Sequence, residues 1–330
     1  MPDPGLPSCS LIVRAYNEEE HIGKLLAGVM EQTVQPKEII LVDSGSTDAT
    51  LAIASRFPTT VVSIRPEDFT FGRSLNLGCS QATADVLVIA SAHVYPVYPD
   101  WLERLAGAFQ DPELAVAYGR QRGDGNTRFS EHQIFAKLYP PVSNRDQEHP
   151  FCNNANAAVR RSLWQLHAYD EDLPGLEDLA WALWASSQGK KVAYIAEAEI
   201  VHLHDETFRQ VYNRYRREAI GLKRIRPEED FRLVDFARLL VSNVVSDVGH
   251  ALMARRLLKV MGEILWFRSA QLWGTYRGFA HQGGLSRQLK QAFYYPRGFR
   301  QAVDAGAQRS LKPIDYGQAM KEHGPGEGRD

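Results

Sequence analysis

Glu177 and Asp178 stand side by side behind the turn-forming run Leu173-Pro174-Gly175-Leu176. One carboxylate of such a pair can take a proton from a hydroxyl, and acidic residues opening a helix also serve simply as partners of its dipole. His202 and His204 are one residue apart. If that segment is extended, side chains alternate and both imidazoles share a face. With His93 they form a nitrogen ligand set for a divalent metal; the same rings also suit phosphate or plain packing. Asn17-Glu18 and Asp43-Ser44 supply acceptors for a base N–H or for ribose hydroxyls, and Asp43 equally suits a turn. Asn153, Asn154 and Asn156 carry the amides that sugar hydroxyls need and that turns also use. Trp181 offers a ring for stacking on a sugar or a side chain for the core.

These groups need a scaffold that gathers them. Val86-Leu87-Val88-Ile89 is a short apolar run that reads as a strand buried on both faces. Ser91, Ala92 and His93 follow it, and Pro99-Asp100 opens an amphipathic helix over 101–109. Residues 10–15, 38–42 and 61–64 read as strands, with helices expected at about 17–32, after Ser46-Thr47-Asp48, and over 73–81. Strands alternating with helices predict an α/β fold with a mostly parallel, Rossmann-like sheet flanked by helices. Ligands bind beyond the carboxyl ends of such strands, where 15–18, 43–44 and 91–93 fall. No GxGxxG follows the first strand and no P-loop occurs, which removes the usual dinucleotide and nucleoside-triphosphate fingerprints. Residues 120–149, rich in Gly, Arg, Asn and Gln, read as a mobile loop over the site.

Composition narrows the class. Three cysteines, Cys9, Cys79 and Cys152, show no paired or metal-like spacing, which argues against a disulfide framework and for a reducing, cytoplasmic compartment. Residues 1–8 carry no secretory signal, and the apolar runs fall short of the ~18 residues of a membrane helix. The net charge of −2 hides a split: residues 231–300 hold 11 Lys and Arg against 3 Asp and Glu, a local +8, which leaves −10 for the rest. The chain therefore divides into a catalytic region, 1–226, a helical basic-aromatic region, 227–311, and an expected disordered tail, 312–330. The middle region interleaves arginines with Phe236, Trp266, Trp273, Tyr276, Phe293, Tyr294 and Tyr295. That pattern suits an anionic membrane surface, here the inner face of the cell membrane, or a contact with the catalytic region or a homodimer partner. A slightly acidic chain argues against nucleic acid. One or two arginines of the basic helix at 208–226 can clamp a phosphate.

Arg14-Ala15-Tyr16-Asn17-Glu18-Glu19 and Val42-Asp43-Ser44-Gly45-Ser46-Thr47-Asp48, at this separation, resemble the motifs of family 2 glycosyltransferases of the GT-A fold. Phe69-Thr70-Phe71-Gly72-Arg73-Ser74-Leu75-Asn76-Leu77-Gly78 is similar to the rhamnosyltransferase-like branch, and the resemblance covers roughly residues 9–225. It implies inverting transfer of a sugar from a UDP-, dTDP- or GDP-sugar to a hydroxyl of a glycan or lipid-linked acceptor, in cell-surface polysaccharide synthesis. By position, Ala15, Asn17 and Glu18, with Ser44, Ser91 and Ala92, line the nucleotide pocket, and Asp43 reads the base. Arg73 and Asn76 flank the pyrophosphate, while Asn154 and Asn156 lie beneath the donor sugar. Asp178 takes the place of the general base, Glu177 orients the acceptor or a loop, and a histidine near His202 completes the metal site.

The departure is at Ser91-Ala92-His93, where the family places Asp-x-Asp or a variant keeping the last aspartate. That carboxylate holds Mg²⁺ or Mn²⁺ against the diphosphate. Imidazole suits Mn²⁺ better than Mg²⁺, so the expected divalent metal passes to His93, with direct contact between His93 and the diphosphate as the alternative. Two other classes compete: a metal-dependent hydrolase built on His93, His202 and His204, and a catalytically silent sugar-nucleotide binder. The first leaves Asn17-Glu18 and Asp43-Ser44 unexplained; the second leaves Glu177-Asp178 unexplained.

Overall fold

The computed structural model describes residues 5–204, 206–280 and 311–324. Its strands are β1 (Cys9–Ala15), β2 (Ile39–Asp43), β3 (Thr59–Ser63), β4 (Val86–Ser91), β5 (Val94–Pro96), β6 (Leu114–Arg122), β7 (Asn156–Arg160) and β8 (Lys191–His202). They form one sheet in the order β3-β2-β1-β4-β7-β6-β8-β5. β1 to β4 run parallel, as do β6 and β8; β7 lies antiparallel between β4 and β6, and β5 antiparallel on β8. The expected α/β architecture is present, with two antiparallel strands making the sheet mixed.

The unbroken apolar runs of β1 and β4 follow from cover on both faces. Leu11, Val13, Val86 and Val88 pack beneath α1 (Ile22–Met30), α2 (Thr50–Ala54) and α4 (Trp101–Ala108). Ile12, Leu87 and Ile89 point the other way, toward α3 (Phe71–Gln81) and α7 (Glu177–Ser187). Register sets the working edge: Ala15 pairs with Asp43, and Arg14 with Ser91, so β1, β2 and β4 end level. Ala90 opposite Asn156 and Val94 opposite His202 bring the start of β7 and the end of β8 to the same edge.

Three expectations are corrected. Residues 120–149 are not one loop: β6 runs to Arg122, and α5 (Phe129–Leu138) buries Phe129, Ser130, Glu131 and Phe135. The first helix begins at Ile22, because residues 17–21 are spent in a turn. Part of the supposed tail is folded: the helix Tyr316–Glu322 puts Ala319 into the core beside α1, Asp315 caps it, and the Tyr316 hydroxyl donates to the Pro96 carbonyl at 2.6 Å. Phe293, Tyr294 and Tyr295 lie outside the described residues, as do 325–330.

After α6 (Arg161–Leu166), α7 and β8, the chain forms α8 (Phe208–Ile225), α9 (Leu233–Met253) and α10 (Leu257–Phe279). A capping box between Thr207 and Gln210 starts α8. A Cβ on Gly274 would lie 2.4 Å from the Tyr212 carbonyl, and one on Gly278 2.5 Å from that of Arg216. Only glycine lets α10 approach α8 this closely, and the contact fixes which way the arginines of α8 project. Buried Arg268 pairs with Asp247 at 2.7 Å, and the Ser130 hydroxyl donates to the same carboxylate, tying α10 to α9 and α5.

Candidate active site

A cleft of ≈ 620 Å³ opens at the level ends of β1 and β4, walled by the start of α7 and by α8. It gathers Asn17, Glu18, Ser91 and His93 from one side of the sheet edge, and Asn154, Glu177, Asp178, His202 and His204 from the other. Two non-glycine residues in the left-handed region border it, Asn17 at φ 53° and Leu176 at φ 64°. Such strain persists where surroundings enforce it. At Leu176 it turns the chain so that Glu177 and Asp178 open α7 on the cleft wall.

The acidic and hydroxyl-rich loops after β1 and β2 are knitted together. Asn17 Oδ1 accepts the Thr47 N–H at 2.8 Å, and the Glu18 N–H donates to Thr50 Oγ1 at 2.7 Å. Asp43 is 3% exposed and accepts the N–H groups of Gly45 at 3.0 Å and Ser46 at 3.1 Å. The Ser44 hydroxyl donates to the Ala15 carbonyl. Ala15, Asp43, Ser44 and Ala92 are therefore buried outside the cleft lining, and Asp43 here holds its own turn.

The three histidines converge. Potential ligand atoms of His93, His202 and His204 all lie within 4.8 Å of one another. Each ring spends Nδ1 on a neighbour: His93 on Glu18 at 2.8 Å, His202 on Gln121 at 2.7 Å and His204 on Glu131 at 2.7 Å. A carboxylate only accepts, so His93 and His204 donate through Nδ1 and keep Nε2 as a lone-pair donor. Gln121 is oriented by its own amide, which donates to Asn153, and offers its oxygen to His202. The Nε2 of His202 is buried with no hydrogen-bond partner among the described residues. Orienting acceptors on Nδ1 with Nε2 left over is the pattern of imidazoles that bind metal. Burial, reinforced by His204 and His93, holds His202 well below the usual histidine range. Burial and Arg214 also lower His204. Neutral imidazole is the ligating form. Burial pushes the Glu131 carboxyl up, but His204 and Arg214 outweigh it and hold it at about 2. The donor set thus fits a divalent cation that accepts imidazole.

In the same cleft, Asp178 accepts the N–H groups of Asn154 at 3.1 Å and Leu179 at 2.8 Å. Burial, with the charge of Glu177 second, raises its carboxyl from the ordinary 3.8 to about 7 despite those bonds. Glu177 is buried and bound to Arg14 at 3.2 Å and to the Asn154 amide at 3.4 Å. Of the pair, Asp178 is the one suited to exchanging a proton near neutrality.

Several expected residues are elsewhere. Arg73 and Asn76 line a separate groove, where Asn76 is engaged by Tyr169, Glu171 and Trp164. Asn156 is fully buried, its amide donating to the carbonyls of Arg120 and Ala198 and accepting from Trp101. Trp181 lies in the core with Nε1 on the His167 carbonyl.

No local signal points to Arg14, Gln121 or Glu131, and Arg217 is an arginine of the basic helix 208–226 that lines the cleft beside Phe71. Arg14 and Arg217 stack on Phe71, at 5.0 Å and 4.5 Å from its ring centroid. Arg14 is neutralised by Glu177, whereas Arg217 shows no ion pair among the described residues, and its Nε is buried without a partner. A cation lining the cleft with no carboxylate in salt-bridge contact among the described residues fits an anionic ligand.

Comparison with known proteins follows the same line. The sequence profile of glycosyl transferase family 2 matches residues 10–166. The O-antigen chain rhamnosyltransferase WbaN of Salmonella anatum is 31% identical over 222 residues, 64% of this chain and 70% of that protein. RfbN of Salmonella typhimurium, also an O-antigen chain rhamnosyltransferase, is 30% identical over 219 residues, 62% of this chain and 69% of its own. Among solved structures, the mannosyltransferase PcManGT of Pyrobaculum calidifontis, in complex with GDP-Man and Mn²⁺, superposes with a TM-score of 0.53 at 22% identity, covering 84% of this chain and 86% of that one. S. aureus TarS 1-349 gives 0.50 at 15%, over 93% and 99%. At these identities the structural likeness establishes the fold alone, which is the GT-A arrangement expected from the motifs.

Proposed function

Given that the chain belongs to glycosyl transferase family 2, in its rhamnosyltransferase-like branch, we propose that it transfers a sugar from a nucleotide-diphosphate donor to an acceptor hydroxyl with inversion. The observation that carries this reading is a single cleft lined both by Asp178 and by three converging imidazoles. Asp178 takes the acceptor proton as the hydroxyl oxygen bonds to the anomeric carbon, while the bond from that carbon to the diphosphate breaks on the opposite face. Glu177, locked by Arg14 and Asn154, positions the start of α7 rather than exchanging the proton. Arg217 binds the diphosphate, and Asn154 at the cleft wall faces the sugar.

His93, His202 and His204 are the residues that would hold a divalent cation, His93 at the position where the resemblance implies an aspartate. When bound, such an ion neutralises charge developing on the leaving nucleotide. A protein of similar fold forms a complex with GDP-Man and Mn²⁺, which supports use of a divalent ion. Asn17 and Glu18 remain in the nucleotide part of the cleft, and Glu18 also orients His93. The acceptor is a glycan or lipid-linked glycan in cell-surface polysaccharide synthesis, supported by the two O-antigen chain relatives.

The test is incubation with a panel of UDP-, dTDP- and GDP-sugars in Mn²⁺, following release of the nucleoside diphosphate. A rhamnosyl donor stands first because both relatives are rhamnosyltransferases. Turnover of one donor that fails in Asp178→Asn is the expected result. A donor bound without turnover would mark a silent binder, and cleavage of esters without any nucleotide sugar a hydrolase.

A further inference from the structure

We propose that the outward face of the α9–α10 pair docks on an anionic lipid bilayer. This goes beyond the transfer reaction and does not depend on it. On α9, Val234, Val241, Val245 and Leu252 are each more than half exposed. Their spacings of 7, 4 and 7 residues return to one stripe of a 3.6-residue helix. At the turn and along α10, Met253 is 76% exposed and Leu258 98%, followed by Leu265 and Trp273 on one stripe. Two antiparallel helices thus present apolar side chains away from the core that their opposite faces help to fill.

The charge on this face has one sign. Between residues 233 and 280 the exposed charged side chains are Arg238, Arg255, Arg256, Lys259 and Arg277. The acids of that span are turned to other work: Asp247 is buried on Arg268, Asp235 caps α9, and Glu263 accepts the Phe129 N–H. Basic and aliphatic groups on one helical surface match an interface of anionic headgroups over acyl chains. A two-fold dimer through the same face would set this basic patch against its own copy, which is repulsive. Valine, leucine and methionine have nothing to read on a nucleic acid. No described helix is long and apolar enough to cross a membrane, so the geometry is that of lying on the surface.

The experiment is co-sedimentation of the full chain with vesicles of phosphatidylcholine alone and of phosphatidylcholine with phosphatidylglycerol. Binding should be at least about tenfold stronger to the anionic vesicles and should weaken with salt. The exposed double variants Met253→Ser/Leu258→Ser and Arg255→Ser/Arg256→Ser should each reduce it about tenfold, with unchanged circular dichroism and melting. Brominated acyl chains should quench a fluorescence component that disappears in Trp273→Phe. No binding, equal binding to both vesicles, or binding indifferent to both variants would overturn the proposal. So would a dimer by light scattering that Met253→Ser/Leu258→Ser dissociates while vesicles bind nothing.

Discussion

Asp178→Asn is the perturbation with the most specific consequence. Asparagine keeps the shape of the side chain and one of the two oxygens that accept the N–H groups of Asn154 and Leu179, while removing the proton acceptor. Loss of a positioned base typically costs 10²–10⁴-fold, so turnover should fall by at least about 10²-fold with donor affinity near that of the parent. The parent enzyme should show the same carboxyl in its pH profile. A base acts only when ionised, and burial with Glu177 holds Asp178 at about 7. The ionised fraction is then about one tenth at pH ~6 and about one hundredth at pH ~5, so kcat/KM should rise roughly tenfold per pH unit up to neutrality and level above it. Glu177→Gln removes the second cause of that elevation and should move the rising limb to lower pH. Steady-state kinetics across this range, with calorimetry for donor binding, is the assay. An Asp178→Asn enzyme that keeps most of its rate, or a parent profile flat from about pH 5 to 8, would refute the assignment.

Chelator should abolish turnover, with Mn²⁺ restoring more of it than Mg²⁺; activity that survives chelation would favour direct contact between His93 and the diphosphate. His93→Asp should shift the metal preference toward Mg²⁺, measured as the ratio of rates in the two ions. A chelator-resistant parent with an inactive His93→Asp would contradict the imidazole set. Arg217→Ala should raise the donor KM about tenfold, the cost of losing a charge-assisted contact, and an unchanged KM would remove Arg217 from the diphosphate. Asp247→Ala leaves Arg268 buried without its counterion and should cost about 3–5 kcal/mol in denaturant unfolding, whereas a loss below about 1 kcal/mol would show that the pair is dispensable.

The parts of this molecule that sequence makes legible are those with local signals. β1, β2 and β4 are apolar runs because both faces are covered, and one-residue spacing correctly brings His202 and His204 to a common place. α5 carries no local signal, because Arg128 provides no side-chain cap and much of the helix is polar. Its order comes from distant partners, Ser130 with Asp247 and Glu131 with His204 and Arg214. The helix Tyr316–Glu322 is too short to announce itself and is held by Pro96 and the core. Arg14, Gln121 and Glu131 act on residues 73 to 163 positions away, a separation that no periodicity reports. Asn156 and Trp181 carry side-chain types that suit a sugar as well as a core, and only burial distinguishes the two.

His93, in the turn after β4, converges with His202 and His204, and pulsed electron paramagnetic resonance of Mn²⁺ added to the protein tests most directly whether these imidazoles bind a metal. Nitrogen couplings from imidazole are predicted in the parent, diminished in His93→Ala, His202→Ala and His204→Ala, with Mn²⁺ held more tightly once a nucleoside diphosphate is present. Mn²⁺ bound without nitrogen coupling, or a spectrum that none of the three substitutions alters, would contradict it.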